Sequence, residues 1–167
     1  MESADYLDDI VATVHRDMES HLGRGKVADY IPALARVDPK NFAIAIATCT
    51  GETAQAGDGE APFSIQSVSK VFTGTLLADM VRRGEVSPTQ PAESLLPKGV
   101  RMPRTATRPI TLLDLTTHMS GLPRLPPNLH RKHGDPYSTF TTENLYDALG
   151  QTRLHAEPGV QNEYSNY

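Results

Sequence analysis

The apolar residues between Phe63 and Gly84 recur without leaving a clean polar side. Val68, Val71, Phe72, Leu76, Leu77, Met80 and Val81 are spread nearly all round a 3.6-residue period. That spread predicts one helix over residues 67 to 83 and a buried, central position for it. Gly84 stands where such a helix stops, and Arg82 and Arg83 fall in its last turn, where the helix dipole favours cations. Nearer the start, Leu7, Ile10, Val11, Val14, Met18 and Leu22 form one stripe, which predicts a helix over residues 5 to 22. Asp5 is its candidate cap, and Gly23 and Gly25 end it.

Between residues 42 and 48 the period drops to two. Phe42, Ile44 and Ile46 alternate with Ala43, Ala45 and Ala47, predicting a strand with large side chains on one face, small ones on the other, and cover on both. Thr50-Gly51 supplies a turn, and Thr53 to Ala56 returns as the second strand of a hairpin. Pro88, Pro91, Pro97, Pro103 and Pro109 exclude a continuous helix across that segment. Thr111 is placed to cap a short helix to Met119, with Asp114 completing a relative of the capping box, and Ser120-Gly121 stops it. Thr141 or Thr142 caps a further helix through Leu149, ended by Gly150.

At 167 residues the chain has one domain's length, and its net charge of −4 includes no basic block beyond His130-Arg131-Lys132-His133. Nucleic acid and anionic membrane are therefore poor partners. The loop cluster at 130 to 133 reads as solvated surface, since a metal site would need further ligands at defined spacing; no metal or other cofactor is expected. His15, His21 and His118 read as surface or structural residues. The single cysteine, Cys49, reads as a small buried strand residue. The acidic start, Met1-Glu2-Ser3-Ala4-Asp5, has no basic segment followed by an apolar one, and no run is long enough to span a bilayer, so the expected location is cytoplasmic.

The chemistry sits in the apolar helix. Ser67 and Lys70 are three residues apart and so occupy neighbouring points of one helical face. Burial disfavours a charged lysine, and a neutral amine beside a hydroxyl is a nucleophile with its base. Serine and lysine also meet at this spacing by chance in many helices. Among rival hydroxyls, Ser64 precedes the helix and Ser69 points elsewhere on it.

Ser67-x-x-Lys70 followed by Tyr164-Ser165-Asn166 resembles the penicillin-recognising serine hydrolases, in the branch of class C β-lactamases, D,D-peptidases and related esterases. The likeness runs from about Phe63 to Tyr167. It takes in Lys70-Val71-Phe72-Thr73-Gly74, Pro109-Ile110-Thr111-Leu112-Leu113-Asp114-Leu115, His118-Met119-Ser120-Gly121-Leu122-Pro123 and Pro158-Gly159. The resemblance implies that Ser67 is acylated and that Lys70 helps take and return its proton. Tyr164 would be the second general base, and Asn166 would orient the substrate amide and hydrogen-bond Lys70. It also implies that the Ser67 N–H, at the helix N-terminus, is an oxyanion donor.

The earlier part resembles another family. Gly25-Lys26-Val27-Ala28-Asp29-Tyr30-Ile31-Pro32-Ala33-Leu34-Ala35 and Pro62-Phe63-Ser64-Ile65-Gln66-Ser67-Val68-Ser69-Lys70 are similar to bacterial glutaminases, with the pattern stopping after Thr73. There Ser67 and Lys70 would be the same pair, with Tyr30 and Gln66 near the glutamine. The chain thus looks like a hybrid, glutaminase-like over residues 1 to 66 and β-lactamase-like over 67 to 167, together one domain. A natural fusion, an engineered chimera and a designed sequence all fit.

Both families imply a third motif, Lys or His, then Thr or Ser, then Gly, on a later strand. Lys132-His133-Gly134 precedes Tyr164, so its order is wrong. The expected fold is α/β (α+β): an antiparallel sheet plus a helical part, incomplete at its C-terminal end, with the active site between them. The expected function is a serine hydrolase acting on a small amide, lactam or ester, with glutamine hydrolysis as the alternative. A scaffold that folds without turning over is the third reading, and a short sheet with an unpaired edge would invite pairing with another copy of the chain.

Overall fold

A computed structural model describes residues 3–29, 32, 34–129 and 136–167. The chain forms two compact units, Met1–Ser64 and Ile65–Tyr167. No helix among the described residues is long and apolar enough to cross a membrane.

In the first unit, α1 spans Ser3–Met18 and a 3-10 turn, Glu19–His21, follows it. The helix therefore starts before Asp5. Strands β1 (Ala43–Ala47) and β2 (Thr53–Gly57) pair antiparallel with Ala45 opposite Gln55, as the alternation predicts. The helix lies on this hairpin, burying Val11 and Ala54. The His15 ring stacks on Phe42 with centroids 5.5 Å apart. Gly57 has a φ of 81°, and a Cβ there would collide with that imidazole, so the strand end needs glycine. Beyond it, the Asp58 carboxylate accepts the Phe42 N–H at 2.9 Å and closes the open end of the hairpin.

Two expectations fail here. Phe42, Ile44 and Ile46 are half-buried, but Ala45 and Ala47 are exposed. The reason is that the described sheet has two strands and α1 lies against it, so one face has a partner and the other has none. Cys49 is exposed, because β1 ends at Ala47 and the chain turns back through the Thr48 N–H bond to the Glu52 carbonyl.

In the second unit, a 3-10 turn at Gln66–Val68 leads into α2 (Ser69–Arg82), and Gly84 follows its end. The predicted helix is present, but its predicted burial is not. No residue of α2 is buried, and Phe72 is 68% exposed and Leu76 58%. The apolar core of this unit forms elsewhere. Ile110, Leu122 and Leu149 make it, with Leu96, Val100, Met102, Leu115, Tyr146, Leu154 and Tyr167 packed around them. Its helices are α3 (Leu112–Thr116) and α4 (Thr142–Gln151). Thr141 caps α4 in a reciprocal box with Asn144, and the helix runs through Gly150 instead of ending there. The proline-rich segment is held by a bridge between Pro91 and Thr111 and by a 3-10 turn at Ala92–Leu95.

Thr111 and Asp114 form a full capping box on α3. Asp114 is 5% exposed and also takes both arms of the Arg108 guanidinium, at 2.6 and 2.9 Å. A bidentate charged pair of this kind fixes orientation as well as energy. It ties the entry of α3 to the segment before it.

The Arg108 hydrogen bond, with help from Thr111, holds the Asp114 carboxyl at about 2, below its ordinary 3.8. A depressed folded-state pKa gives stability that is complete above the ordinary value and lost as pH falls through the folded one. Unfolding free energy should therefore drop between about pH 4 and pH 2. Asp114→Asn should cost about 2 kcal/mol at pH 7 and flatten that drop. Urea melts of both proteins at pH 7 and pH 3 measure it; equal pH dependence in the two would be the contrary result.

Candidate active site

Ser67 is the middle residue of the 3-10 turn that precedes α2. The residue before it, Gln66, has a φ of 42°, in the left-handed region that side chains with a Cβ rarely adopt. Held strain of this kind concentrates at functional sites. Here it reverses the chain just ahead of the hydroxyl and leaves Ser67 exposed. Ser69 is occupied locally, since its Oγ donates to the Gln66 carbonyl at 2.7 Å. One turn on, Lys70 is half-buried.

The other half of the site comes from almost a hundred residues later in the chain. The segment after α4 runs back along residues 117 to 124 and is fastened to it by hydrogen bonds. The His155 N–H donates to the Gly121 carbonyl at 2.9 Å, Gly159 to Met119 at 2.8 Å, Glu163 to His118 at 2.9 Å and Asn166 to Arg124 at 3.0 Å. Side chains add to the run: Ser165 Oγ donates to the Pro123 carbonyl at 2.8 Å, and Asn162 Nδ2 to the Thr117 carbonyl at 2.8 Å. Gly121, at φ 74°, lets the segments approach, because a Cβ there would run into the Ala156 carbonyl. At the end of the run, Tyr167 packs on the apolar core and its hydroxyl bonds to Thr152. Tyr164, three residues earlier, carries its ring out of the core to the turn at Ser67.

The result is a compact polar cluster. Ser67 Oγ and Tyr164 Oη are hydrogen-bonded to each other. Lys70 Nζ donates to Asn166 Oδ1 at 2.8 Å and lies 5.0 Å from the centroid of the Tyr164 ring. The sequence reading names Ser67, Lys70, Tyr164 and Asn166, which are neighbours in the structure. It misjudges the setting, since the cluster is open to solvent instead of buried in a helix core. Four functional groups expected between a sheet and a helical part all come from residues 65 to 167. Tyr30 lies outside the described residues. Gln66 contributes through its backbone turn and carbonyl, with its side chain exposed.

Two further residues were not legible as site residues. His118, expected only to end a helix, has a φ of 58° and tilts its ring against Tyr164 with centroids 4.7 Å apart. Its Nδ1 accepts the Ser165 N–H at 3.3 Å, so one side chain supports both the ring and the backbone next to it. Arg124 places its guanidinium carbon 5.4 Å from the same ring centroid. Neither has a spacing signal; the pairing of two distant segments brings them in.

Electrostatics follow from this geometry. The Tyr164 phenol is held below its ordinary pKa, first by the Ser67 hydroxyl, then by Lys70 as hydrogen-bond partner and as a nearby charge, and last by the charge of Arg124. Each favours the ionised oxygen. Such a cluster can take a proton from the serine hydroxyl at its centre.

Known proteins resemble both halves of the chain. The Beta-lactamase family model matches residues 45–167. A crystal structure of a beta-lactamase/D-alanine carboxypeptidase from Yersinia pestis, complexed with citrate, superposes with a TM-score of 0.60 at 29% identity, covering 74% of this chain and 38% of that one. A glutaminase of Sinorhizobium fredii is 60% identical over 67 residues, 40% of this chain and 21% of the relative. A glutaminase of Rhizobium leguminosarum bv. trifolii is 41% identical over 121 residues, 72% of this chain and 35% of the relative. A match of that length necessarily runs past Thr73, so the glutaminase likeness does not stop there as the sequence reading had it. The chain spans only about a fifth to a third of the length of these two curated relatives. With helices beside a small antiparallel sheet, the Ser67 cluster, and a family match over most of its length, the chain belongs to the Beta-lactamase family.

Proposed function

We propose that the chain is a serine hydrolase of the acyl-transfer type, with Ser67 as nucleophile and Tyr164 as its immediate base. The observation that carries this is the hydrogen bond between Ser67 Oγ and Tyr164 Oη, next to a lysine held by Asn166. An ionised Tyr164 accepts the Ser67 proton while Oγ attacks the carbonyl carbon of an amide, lactam or ester. The carbonyl oxygen carries the charge of the tetrahedral intermediate. Its collapse breaks the bond to the leaving nitrogen or oxygen, which takes the proton back from Tyr164. Water then gives a proton to Tyr164 as it attacks the acyl carbon. The second collapse breaks the bond to Ser67 Oγ, which takes that proton back from Tyr164 and restores the hydroxyl and the phenolate. Lys70 stabilises the phenolate and, through Asn166, keeps a fixed place beside it. No metal enters this scheme.

The substrate we favour is a β-lactam, D-alanyl amide or simple ester, of the class C type. The family match from residue 45 onwards supports it, as does the resemblance carried by Tyr164-Ser165-Asn166. Glutamine is the second reading, favoured by 60% identity over 67 residues to a glutaminase. A chromogenic β-lactam, a nitrophenyl ester and glutamine assayed side by side separate the two.

A fluorophosphonate probe should label Ser67 and no other serine, as mapped by mass spectrometry. Label on Ser64 or Ser69 with Ser67 unmodified would sink the assignment. Tyr164→Phe should slow acylation by about 10² to 10⁴, the usual worth of a general base. Its melting midpoint should barely move, because Oη is partnered by an exposed hydroxyl and the ring stays. Since the phenol's pKa is lowered in the fold, the acylation rate of the parent should rise with pH and level off below the ordinary tyrosine value of about 10. A rate unchanged in Tyr164→Phe would reduce the residue to a packing role.

A further inference from the structure

Arg124 is not among the residues that the family resemblance singles out, yet the fold holds it against the reacting groups. Its carbonyl accepts the Asn166 N–H at 3.0 Å, so its backbone is locked to the segment that carries Tyr164. Its guanidinium carbon stands 5.4 Å from the Tyr164 centroid, within the range of a cation–π contact. Among the described residues it has no carboxylate partner, so its charge is not cancelled by an ion pair. The groups facing the Tyr164 ring and hydroxyl are Ser67 and Lys70 from the α2 end, His118 from the segment after α3, and Arg124 from the loop beyond Pro123. Within Tyr164's own segment, Glu163 is taken by His155 at 2.8 Å, and Asn166 is neutral. No described carboxylate in that set opposes the two cations.

We propose that Arg124 is a positioning residue for the Ser67–Tyr164 pair, a second cation that stacks on the phenol ring and favours its proton-accepting form. This rests on the acyl-transfer reading of Ser67. Lys70 approaches the ring from the nucleophile's helix, whereas Arg124 approaches from the loop to which the tyrosine's segment is hydrogen-bonded. The phenol is therefore tuned from both segments that meet at the site, and the direction in which its pKa is moved by the Arg124 charge agrees. Because Arg124 is exposed, water and salt screen its charge, and its effect is smaller than that of a buried cation.

The test uses the whole chain labelled with ¹³C at the tyrosine Cζ, titrated by NMR as the parent and as Arg124→Ala, Arg124→Gln and Arg124→Lys. A charge at this distance near a protein surface is worth roughly half to one pKa unit. Tyr164 should ionise that much higher in the Ala and Gln variants, and Lys should recover most of the difference. Fluorophosphonate labelling of Ser67 at pH 7 should slow about three- to tenfold in Ala and Gln, in step with the phenolate lost, and the gap should close as pH rises. An unchanged Tyr164 titration in both neutral variants would overturn the proposal, and so would a loss of rate equal at every pH. If the parent fails to label at Ser67, the acyl-transfer reading fails, while the NMR titration still decides what Arg124 does to Tyr164.

Discussion

The site depends on one piece of backbone pairing. Residues 155 to 166 lie along residues 117 to 124, joined by main-chain bonds from His155 to Gly121, Gly159 to Met119, Glu163 to His118 and Asn166 to Arg124. Each satisfies polar groups that would otherwise need water. Together they set the register of the returning segment to within a residue. A slip of one position would carry Tyr164 away from Ser67 and Tyr167 out of the core. Tyr167 and Tyr164 act as a pair in this sense, one anchored among Leu149, Leu122 and Ile110, the other aimed at the helix start.

The same pairing explains why loop chemistry matters so much in this chain. Gly121 permits the close approach, and His118 turns the chain with a positive φ while supporting Tyr164 and the Ser165 N–H. Ahead of them, Arg108 and Asp114 clamp the start of α3, so the segment that receives the returning residues 155 to 166 leaves a fixed helix. On the other side of the cluster, the left-handed Gln66 shapes the backbone just ahead of Ser67. Ser67, Tyr164 and Asn166 sit on irregular backbone, Lys70 sits in the first turn of α2, and the segment carrying Tyr164 and Asn166 is anchored through Tyr167 to the apolar core.

A Beta-lactamase family match from residue 45 and a structural likeness to a β-lactamase/carboxypeptidase accompany a hydroxyl, a phenol, an amine and an amide in mutual contact. The glutaminase relatives share sequence over 67 residues of the chain in one case and 121 in another. The exposed Val68, just ahead of α2, and Phe72 and Leu76 within it follow one another at four-residue intervals beside Ser67. Val71, Phe72 and Leu76 of α2 are therefore wet, Leu77, Met80 and Val81 are only half-buried, and the order of this unit comes from the Ile110–Leu122–Leu149 core instead.

By itself the sequence determined the local elements and the spacing of Ser67 and Lys70, while Tyr164 and Asn166 were named only through the family resemblance. The period-two run at Phe42 to Ala47 is a strand, Thr111 and Asp114 cap a helix, Thr141 caps another, and the spacing of Ser67 and Lys70 puts them at one helix end. These are short-range facts, settled by side-chain period and by hydrogen bonds between residues a few positions apart. Burial was not legible: the apolar spread round α2 pointed to a central helix, and β1 to a strand covered on both faces. Whether an apolar face is covered depends on which distant segments pack against it, and neither period nor composition records that. Tertiary structure alone decided that Tyr164, not Lys70, touches the Ser67 hydroxyl, and that His118 and Arg124 flank the phenol. Those contacts join residues about 40 to 100 positions apart, and they exist because one returning segment finds its register through backbone hydrogen bonds and a single buried tyrosine.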